Sequence, residues 1–345
     1  MVEADFLIVG QGLAGTWLDY FLSLSGKRCI VIDRKNPNSA SNISSGIVNP
    51  ITGRKLVKTW MFDEMYNFAQ SAYQKIEQKF NIKVWYNRNI VWLLQNEQDL
   101  NNFSARSSAD GYHQHILAVE RGIWKPEFKS AVGYAVVTGN YINTSLLLQS
   151  YRTHLLQNNR LIDDFVEIKD LTFLSEGVIW KNVKASKIIF CEGYLAGQNP
   201  FFNHLPLAPN KGEVLVIEAG DLKITDHLIK GSAFLVPLGN DLFWAGSQYN
   251  FDQPDENISE EGRIEIENAL KNMLTVPFKV VDHWAGIRPS TLQRRPLVGM
   301  HHKYPQIGIL NGLGTKGVLM STYFANKLSE LLVNNSTLPK DIMAI

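Results

Sequence analysis

The sequence predicts an α/β fold (α+β overall), in which a Rossmann-like nucleotide-binding domain is interleaved with a second domain built on a mixed or antiparallel sheet. Three observations predict it. The chain opens in the order apolar strand, glycine turn, helix, apolar strand, acid. A later apolar run, Lys187-Ile188-Ile189-Phe190-Cys191, stops at Glu192-Gly193-Tyr194, as an inner strand of a parallel sheet does. Strand, glycine turn and helix then return near the far end, over 306–310, 311–317 and 318–332, so the C-terminal segment rejoins the first sheet. No linker rich in Pro, Gly or Ser divides the chain. The nucleotide-binding domain is therefore expected at 1–80, 140–205 and 285–345, and the second domain at 81–139 and 206–284.

In the opening unit, Phe6-Leu7-Ile8-Val9 leads into Gly10-Gln11-Gly12-Leu13-Ala14-Gly15, a helical segment over 16–24, then Cys29-Ile30-Val31-Ile32 and Asp33. Each part has a reason. Gly10 serves the tight turn, Gly12 lets the backbone approach a pyrophosphate, Gly15 permits close helix-on-strand packing, and Asp33 accepts from ribose hydroxyls. The pyrophosphate belongs at the helix N-terminus, where free amides and the dipole favour an anion. Asp33 argues for an unphosphorylated ribose and leaves NAD and FAD open.

Composition sets the bounds. With 345 residues, 45% hydrophobic and 19% charged, the chain can bury a substantial core and has room for two domains. A net charge of +1 gives no reason to expect a dominant nucleic-acid or membrane field. The first apolar run is followed at once by glycines, so it reads as a strand and not as a signal peptide or membrane span, and a cytoplasmic location is expected. Cys29 and Cys191 each sit in an apolar run and read as buried, inert thiols. No metal site is expected. His113 and His115, and the adjacent His301 and His302, lack ligands at a metal spacing and read as surface or turn histidines.

After Asp33, residues 34–46 are polar and turn-forming, a loop where a second plain βαβ unit would place its next helix. Small residues there, followed by Gly46-Ile47-Val48-Asn49-Pro50, suit backbone and hydroxyls laid against a flat cofactor. The run from Thr52 through Arg54, Lys55 and Lys58 to Trp60 is basic, either a solvated charge run or a mouth that receives an anionic substrate. Apolar residues at helical spacing, Phe68, Ala72, Tyr73, Ile76 and Phe80, predict a helix over 63–80. Strands and turns are expected over 84–138, and Asn143 or Thr144 is the candidate cap of a helix to 156. Further strands are expected at 165–168, 177–180, 214–217, 233–236 and 242–245, with a helix over 259–273.

Taken together, the Gly10–Gly15 turn, Asp33, Ser44-Ser45-Gly46, Trp284-Ala285-Gly286-Ile287-Arg288-Pro289 and the terminal glycine turn resemble the D-amino-acid oxidase/glycine oxidase family of FAD enzymes across essentially the whole chain. Within it, Lys211-Gly212-Glu213-Val214, Ala245-Gly246-Ser247-Gln248-Tyr249, Ser290-Thr291 and Arg295-Pro296-Leu297-Val298-Gly299 are most similar to the oxidase half of the bifunctional enzyme that modifies tRNA wobble uridines. The methyltransferase half of that enzyme has no counterpart here.

The resemblance implies noncovalent FAD, with Leu13 and Ala14 by the pyrophosphate and Asp33 with Arg34 by the adenosine ribose. Ser41, Ser44, Ser45, Gly46 and Ile47 would approach the flavin end, and Val166 the adenine. Gly193 would lie at the ligand end of its strand. The turn of Gly312, Leu313, Gly314, Thr315, Lys316, Gly317 and Val318 would follow the pyrimidine edge of the ring, where amides at a helix start and Lys316 stabilise the charge of the reduced flavin. Arg288 would pair with a substrate carboxylate through its planar fork. Tyr249, Phe234 and Arg54 complete the expected substrate contacts, and Arg288, Tyr249 and Lys316 the catalytic set. Phe234 stands where glycine oxidase has a tyrosine, so one hydroxyl to the carboxylate, of order 1.5–3 kcal/mol, is lost. The reading is oxidation of the CH–NH bond of a small carboxylate-bearing secondary amine or amino acid by hydride transfer to flavin. The alternatives are a tRNA carboxymethylaminomethyl oxidase and a nucleotide-binding module without redox activity.

Overall fold

A computed structural model describes residues 1–53, 55–129, 131–252, 254–339 and 342. Two eight-stranded sheets organise it. The first is centred on the strand Val2–Val9, which pairs in parallel with Cys29–Ile32 on one side and Val183–Phe190 on the other. Leu161–Ile162 extends the first edge in parallel. On the other side Ile307–Asn311 adds in parallel to Val183–Phe190, and the antiparallel strands Gly177–Trp180 and Leu171–Leu174 follow it at the opposite end. The C-terminal segment thus rejoins the first sheet.

Alternation explains why the central strands are apolar throughout. Phe6, Ile8, Cys29 and Val31 face one core; Leu7, Val9, Ile30 and Ile32 face another. Leu7 and Ile8 are both fully buried, each side chain contributing about 2 kcal/mol by burial. The helices Leu13–Leu24, Phe62–Phe80 and Gly317–Asn334 pack over the first face around Trp17, Tyr73 and Phe324.

The second sheet runs in the order Lys279–Arg288, Asn210–Glu218, Leu242–Gly246, Phe234–Gly239, His227–Lys230, Asn89–Leu94, Gly133–Val137, Ile116–Arg121. It is mixed: His227–Lys230 and Asn89–Leu94 are parallel, and the other pairs antiparallel. The helix Glu260–Met273, capped by the Ser259 hydroxyl accepting from the Gly262 amide, covers one face. The opposite face carries Val214, Leu228, Val236 and Trp244.

Several expectations need correction. The helix Glu97–Ser107 interrupts the stretch read as strands and turns, because Asn96 caps it and only Leu100 and Phe103 point inward, too sparse a stripe to announce itself. Residues 165–168 are not a strand; they lead into a short 3-10 turn at Ile168–Asp170. The loop after Asp33 includes one helical turn, Ala40–Ile43. His115 and His301 are buried rather than on the surface, although His115 does sit in a turn; His115 lies edge-on to Phe62, and His301 lies edge-on to Phe201 and stacks flat on His302. Both cysteines are buried, and burial raises both thiols. No helix among the described residues is long and apolar enough to cross a membrane, and among them no cluster of His, Cys, Asp or Glu could hold a metal ion.

Candidate active site

One cavity of about 2490 Å³ opens at the C-terminal end of the first sheet and extends over the face of the second. Its nucleotide end is shaped by backbone. Gly10 adopts φ +100, and any Cβ there would collide with the Cys191 carbonyl. A Cβ on Gly15 would collide with the Gly10 carbonyl, so the helix start sits as close to the turn as two backbones allow. Gly46, at φ +64, is pressed equally closely on the Ile142 carbonyl. The helix Leu13–Leu24 begins at Gly12 with no side-chain cap, and the Ser41 hydroxyl reaches the Leu13 amide at 3.2 Å. Uncapped amides above a glycine turn, with hydroxyls alongside, fit a dinucleotide pyrophosphate.

Asp33 lines the same cavity. Its Oδ1 accepts from the Gln11 amide at 2.8 Å and its Oδ2 from Arg152 Nη1 at 2.7 Å. Sequence reasoning missed Arg152, which the helix Thr144–Gln157 brings back to the turn across 119 residues. Each oxygen keeps a second lone pair for a ribose hydroxyl. Glu192, also unassigned from sequence, lines the wall beside Gly193 and accepts from Asn199 Nδ2 at 2.9 Å. Burial raises its carboxyl to about 7, partly opposed by that hydrogen bond.

At the other end, Arg288 closes the strand Lys279–Arg288 and lies over Gly212. Its Nη1 donates to Asn210 Oδ1 at 2.8 Å and to the Lys211 carbonyl at 3.2 Å. Its Nη2 donates to Ser247 Oγ at 2.6 Å and to the Gln248 carbonyl at 3.3 Å. The guanidinium is 4.4 Å from the centroid of the Tyr249 ring. Every one of these partners is neutral, and no carboxylate pairs with Arg288 among the described residues. Burial lowers its pKa, with Tyr249 opposing.

Lys316 lines the cavity as well. Its Nζ donates to the Asn49 carbonyl at 3.3 Å, and burial lowers its pKa to about 8. The 3-10 turn Gly314–Lys316 delivers it to the cavity just before the helix Gly317–Asn334.

The structure gathers the expected site residues closely. Those from Gly10, Gly12, Leu13 and Ala14, through Asp33, Arg34, Ser41, Ser44, Ser45, Gly46 and Ile47, to Val166, Gly193 and the whole turn from Gly312 to Val318 line the cavity, as do Arg288, Tyr249 and Phe234. Gly15 packs behind it, and Arg54 lies outside the described residues. Tyr249 is 58% exposed, so it forms rim rather than floor. Within the basic run, Lys58 is paired with Asp63 at 2.5 Å, which neutralises part of the field that RNA would use.

The family described as DAO, FAD dependent oxidoreductase, matches residues 5–331. Glycine oxidase of Bacillus subtilis is 26% identical over 164 residues, 46% of this chain and 43% of that protein. The tRNA 5-methylaminomethyl-2-thiouridine biosynthesis bifunctional protein MnmC of Legionella pneumophila is 21% identical over 320 residues, 86% of this chain and 46% of that one. The chain thus spans less than half the length of each of these two relatives. Among solved structures, glycine oxidase from Bacillus cereus superposes with a TM-score of 0.81 at 16% identity, covering 97% of this chain and 96% of that one.

Proposed function

The chain belongs to the DAO family of FAD-dependent oxidoreductases, and from that premise we propose that it oxidises the CH–NH bond of a small amine bearing a carboxylate, a secondary amine or amino acid. The observation that carries this reading is Arg288: a largely desolvated guanidinium held by neutral acceptors, on a cavity wall, with no carboxylate to meet it among the described residues. A charge so placed is costly unless a ligand completes the pair. A carboxylate is the bidentate complement of its fork.

When bound, FAD supplies the acceptor for the hydride leaving the carbon beside the neutral amine, while the nitrogen lone pair forms the C=N bond that water then hydrolyses to an amine and a carbonyl. The chain's own residues supply placement. Gly10, Gly12, Leu13 and Ala14 would hold the pyrophosphate, Asp33 the ribose, and the Gly312–Val318 turn with Lys316 the ring. Arg288 fixes the carboxylate and hence the direction in which the C–H bond points, which is where most of the rate gain from orientation resides. No side chain is required as a general base.

In this reading the first sheet and its helices serve the cofactor through 1–80, 140–205 and 285–345, except that the strand Lys279–Arg288 stays in the second sheet to its end, and that sheet serves the substrate with 81–139 and 206–284. A small molecule rather than tRNA is the substrate in this reading, supported by the neutralised Lys58. Noncovalent attachment and a cytoplasmic location belong to the same reading, supported by two buried thiols whose raised pKa keeps them unreactive and which need no oxidising compartment. The test is an anaerobic screen of the purified yellow holoenzyme against amines and imino acids. Bleaching by carboxylate-bearing amines is expected; a protein that carries no flavin, or one bleached equally by amines without a carboxylate, would overturn the proposal.

A further inference from the structure

We propose, resting on the amine-oxidation reading above, that the substrate carries a second anionic group and that Lys230 reads it from the far wall of the cavity. Lys230 ends the strand His227–Lys230 and lines the cavity. Alternation along that strand places Leu228 and Lys230 on the face that Val214 and Phe234 share, while Ile229 turns to the opposite core. The ammonium lies 4.5 Å from the centroid of the Phe234 ring. No carboxylate pairs with it among the described residues, and burial alone lowers its pKa. Asp99, which lines the cavity too, accepts from Asn96 at 3.0 Å.

The register relates the two cations. Lys230 pairs with Phe234, Phe234 with Gly246, and Gly246 with Val214, one row across four strands. Arg288 reaches over Gly212, in the strand of Val214, to the hydroxyl of Ser247, the residue after Gly246. Lys230 and Gly212, over which the guanidinium lies, therefore stand on one face three strand spacings apart, about 14 Å, and the ammonium, held against the Phe234 ring of the neighbouring strand, shortens that span. Phe234, Val214 and Trp244 line the gap with apolar side chains, the latter two covering Gly246, which suits a methylene chain. Two unpaired, partly desolvated cations at the ends of an apolar trough call for a dianion, and the missing hydroxyl at Phe234 has a charged neighbour in its place. The substrate class is a secondary amine with one carboxylate beside the reacting carbon and a carboxylate or phosphonate on the other arm.

The test uses holoenzyme and matched N-substituted glycines: an N-alkylglycine, its ω-carboxylate and its ω-phosphonate of equal length. The expected preference for the dianions in kcat/KM is on the order of tenfold to a hundredfold, the worth of one charge-assisted pair. In Lys230→Met, which keeps the apolar stem, that ratio collapses towards one with flavin content retained, whereas Arg288→Lys lowers both members of a pair together. The ω-carboxylate and ω-phosphonate arms tell the two anions apart. A ratio near one in the wild type, or one unchanged in Lys230→Met, would overturn the proposal. A second readout needs no turnover: perturbation of the bound-flavin spectrum by unreactive glutarate or adipate against butyrate or pentanoate. If no amine is oxidised, a dicarboxylate preference lost in Lys230→Met supports Lys230 and removes only the amine reading; no preference overturns the role of Lys230.

Discussion

The guanidinium of Arg288 occupies the space where a side chain at Gly212 would be: a Cβ built there collides with its Cζ and both terminal nitrogens. Gly212 has ordinary backbone geometry, since it is not among the residues with positive φ. Its smallness serves the arginine above it rather than a turn. Gly212→Ala should displace the guanidinium without unfolding the strand, lowering kcat/KM about tenfold to a hundredfold, mainly through KM, while flavin content stays at the wild-type level. Steady-state kinetics beside a flavin-to-protein absorbance ratio checks this; a parallel loss of flavin would mean the strand itself had been disrupted.

Lys316 should set the electrostatics of the ring site. Its pKa of about 8 leaves it charged below that pH and neutral above it. The rate of flavin reduction by substrate should therefore fall as pH rises through about 8, and Lys316→Arg should move that limb upward. Lys316→Met should shift the reduction potential of the bound flavin negative by roughly 30–60 mV, one charge-assisted interaction for a two-electron couple. Redox titration with a reference dye reads the shift.

Glu192 makes a pH-dependent contribution to the stability of the apoprotein. Its folded pKa is raised from 4.5 to about 7. Between those values the unfolded chain releases the proton and the folded chain keeps it, so stability falls as pH rises through the window, by up to about 3 kcal/mol. Glu192→Gln should flatten that slope in urea melts of the apoprotein at pH 5 and pH 8. An unchanged slope would show that the carboxyl is better solvated than its place in the cavity wall implies.

Legibility in the sequence follows the reach of the interaction. The strand Val2–Val9, the Gly10–Gly15 turn and Asp33 are local, and each constraint is written in adjacent residues: apolar where both faces are buried, glycine where backbone meets backbone. Arg152 closes on Asp33 across 119 residues and leaves no local mark. The Glu97–Ser107 helix hid because two inward residues make no periodic signal. Lys230 left no local mark either, because both faces of its strand are covered and His227-Leu228-Ile229-Lys230 shows no alternation to say which way a lysine faces. What sequence could not supply for Arg288 was its surroundings; only the assembled sheet shows the four neutral acceptors that hold it.

The most direct measurement is anaerobic stopped-flow reduction of the bound flavin by an N-alkylglycine and by its carboxamide, in wild-type enzyme and in Arg288→Ala. The acid should bleach the flavin and the amide should be about tenfold to a hundredfold slower, and Arg288→Ala should lose that discrimination with its flavin still bound. Equal rates for acid and amide in the wild type, or undiminished discrimination in Arg288→Ala, would contradict the assignment of Arg288 as the carboxylate anchor.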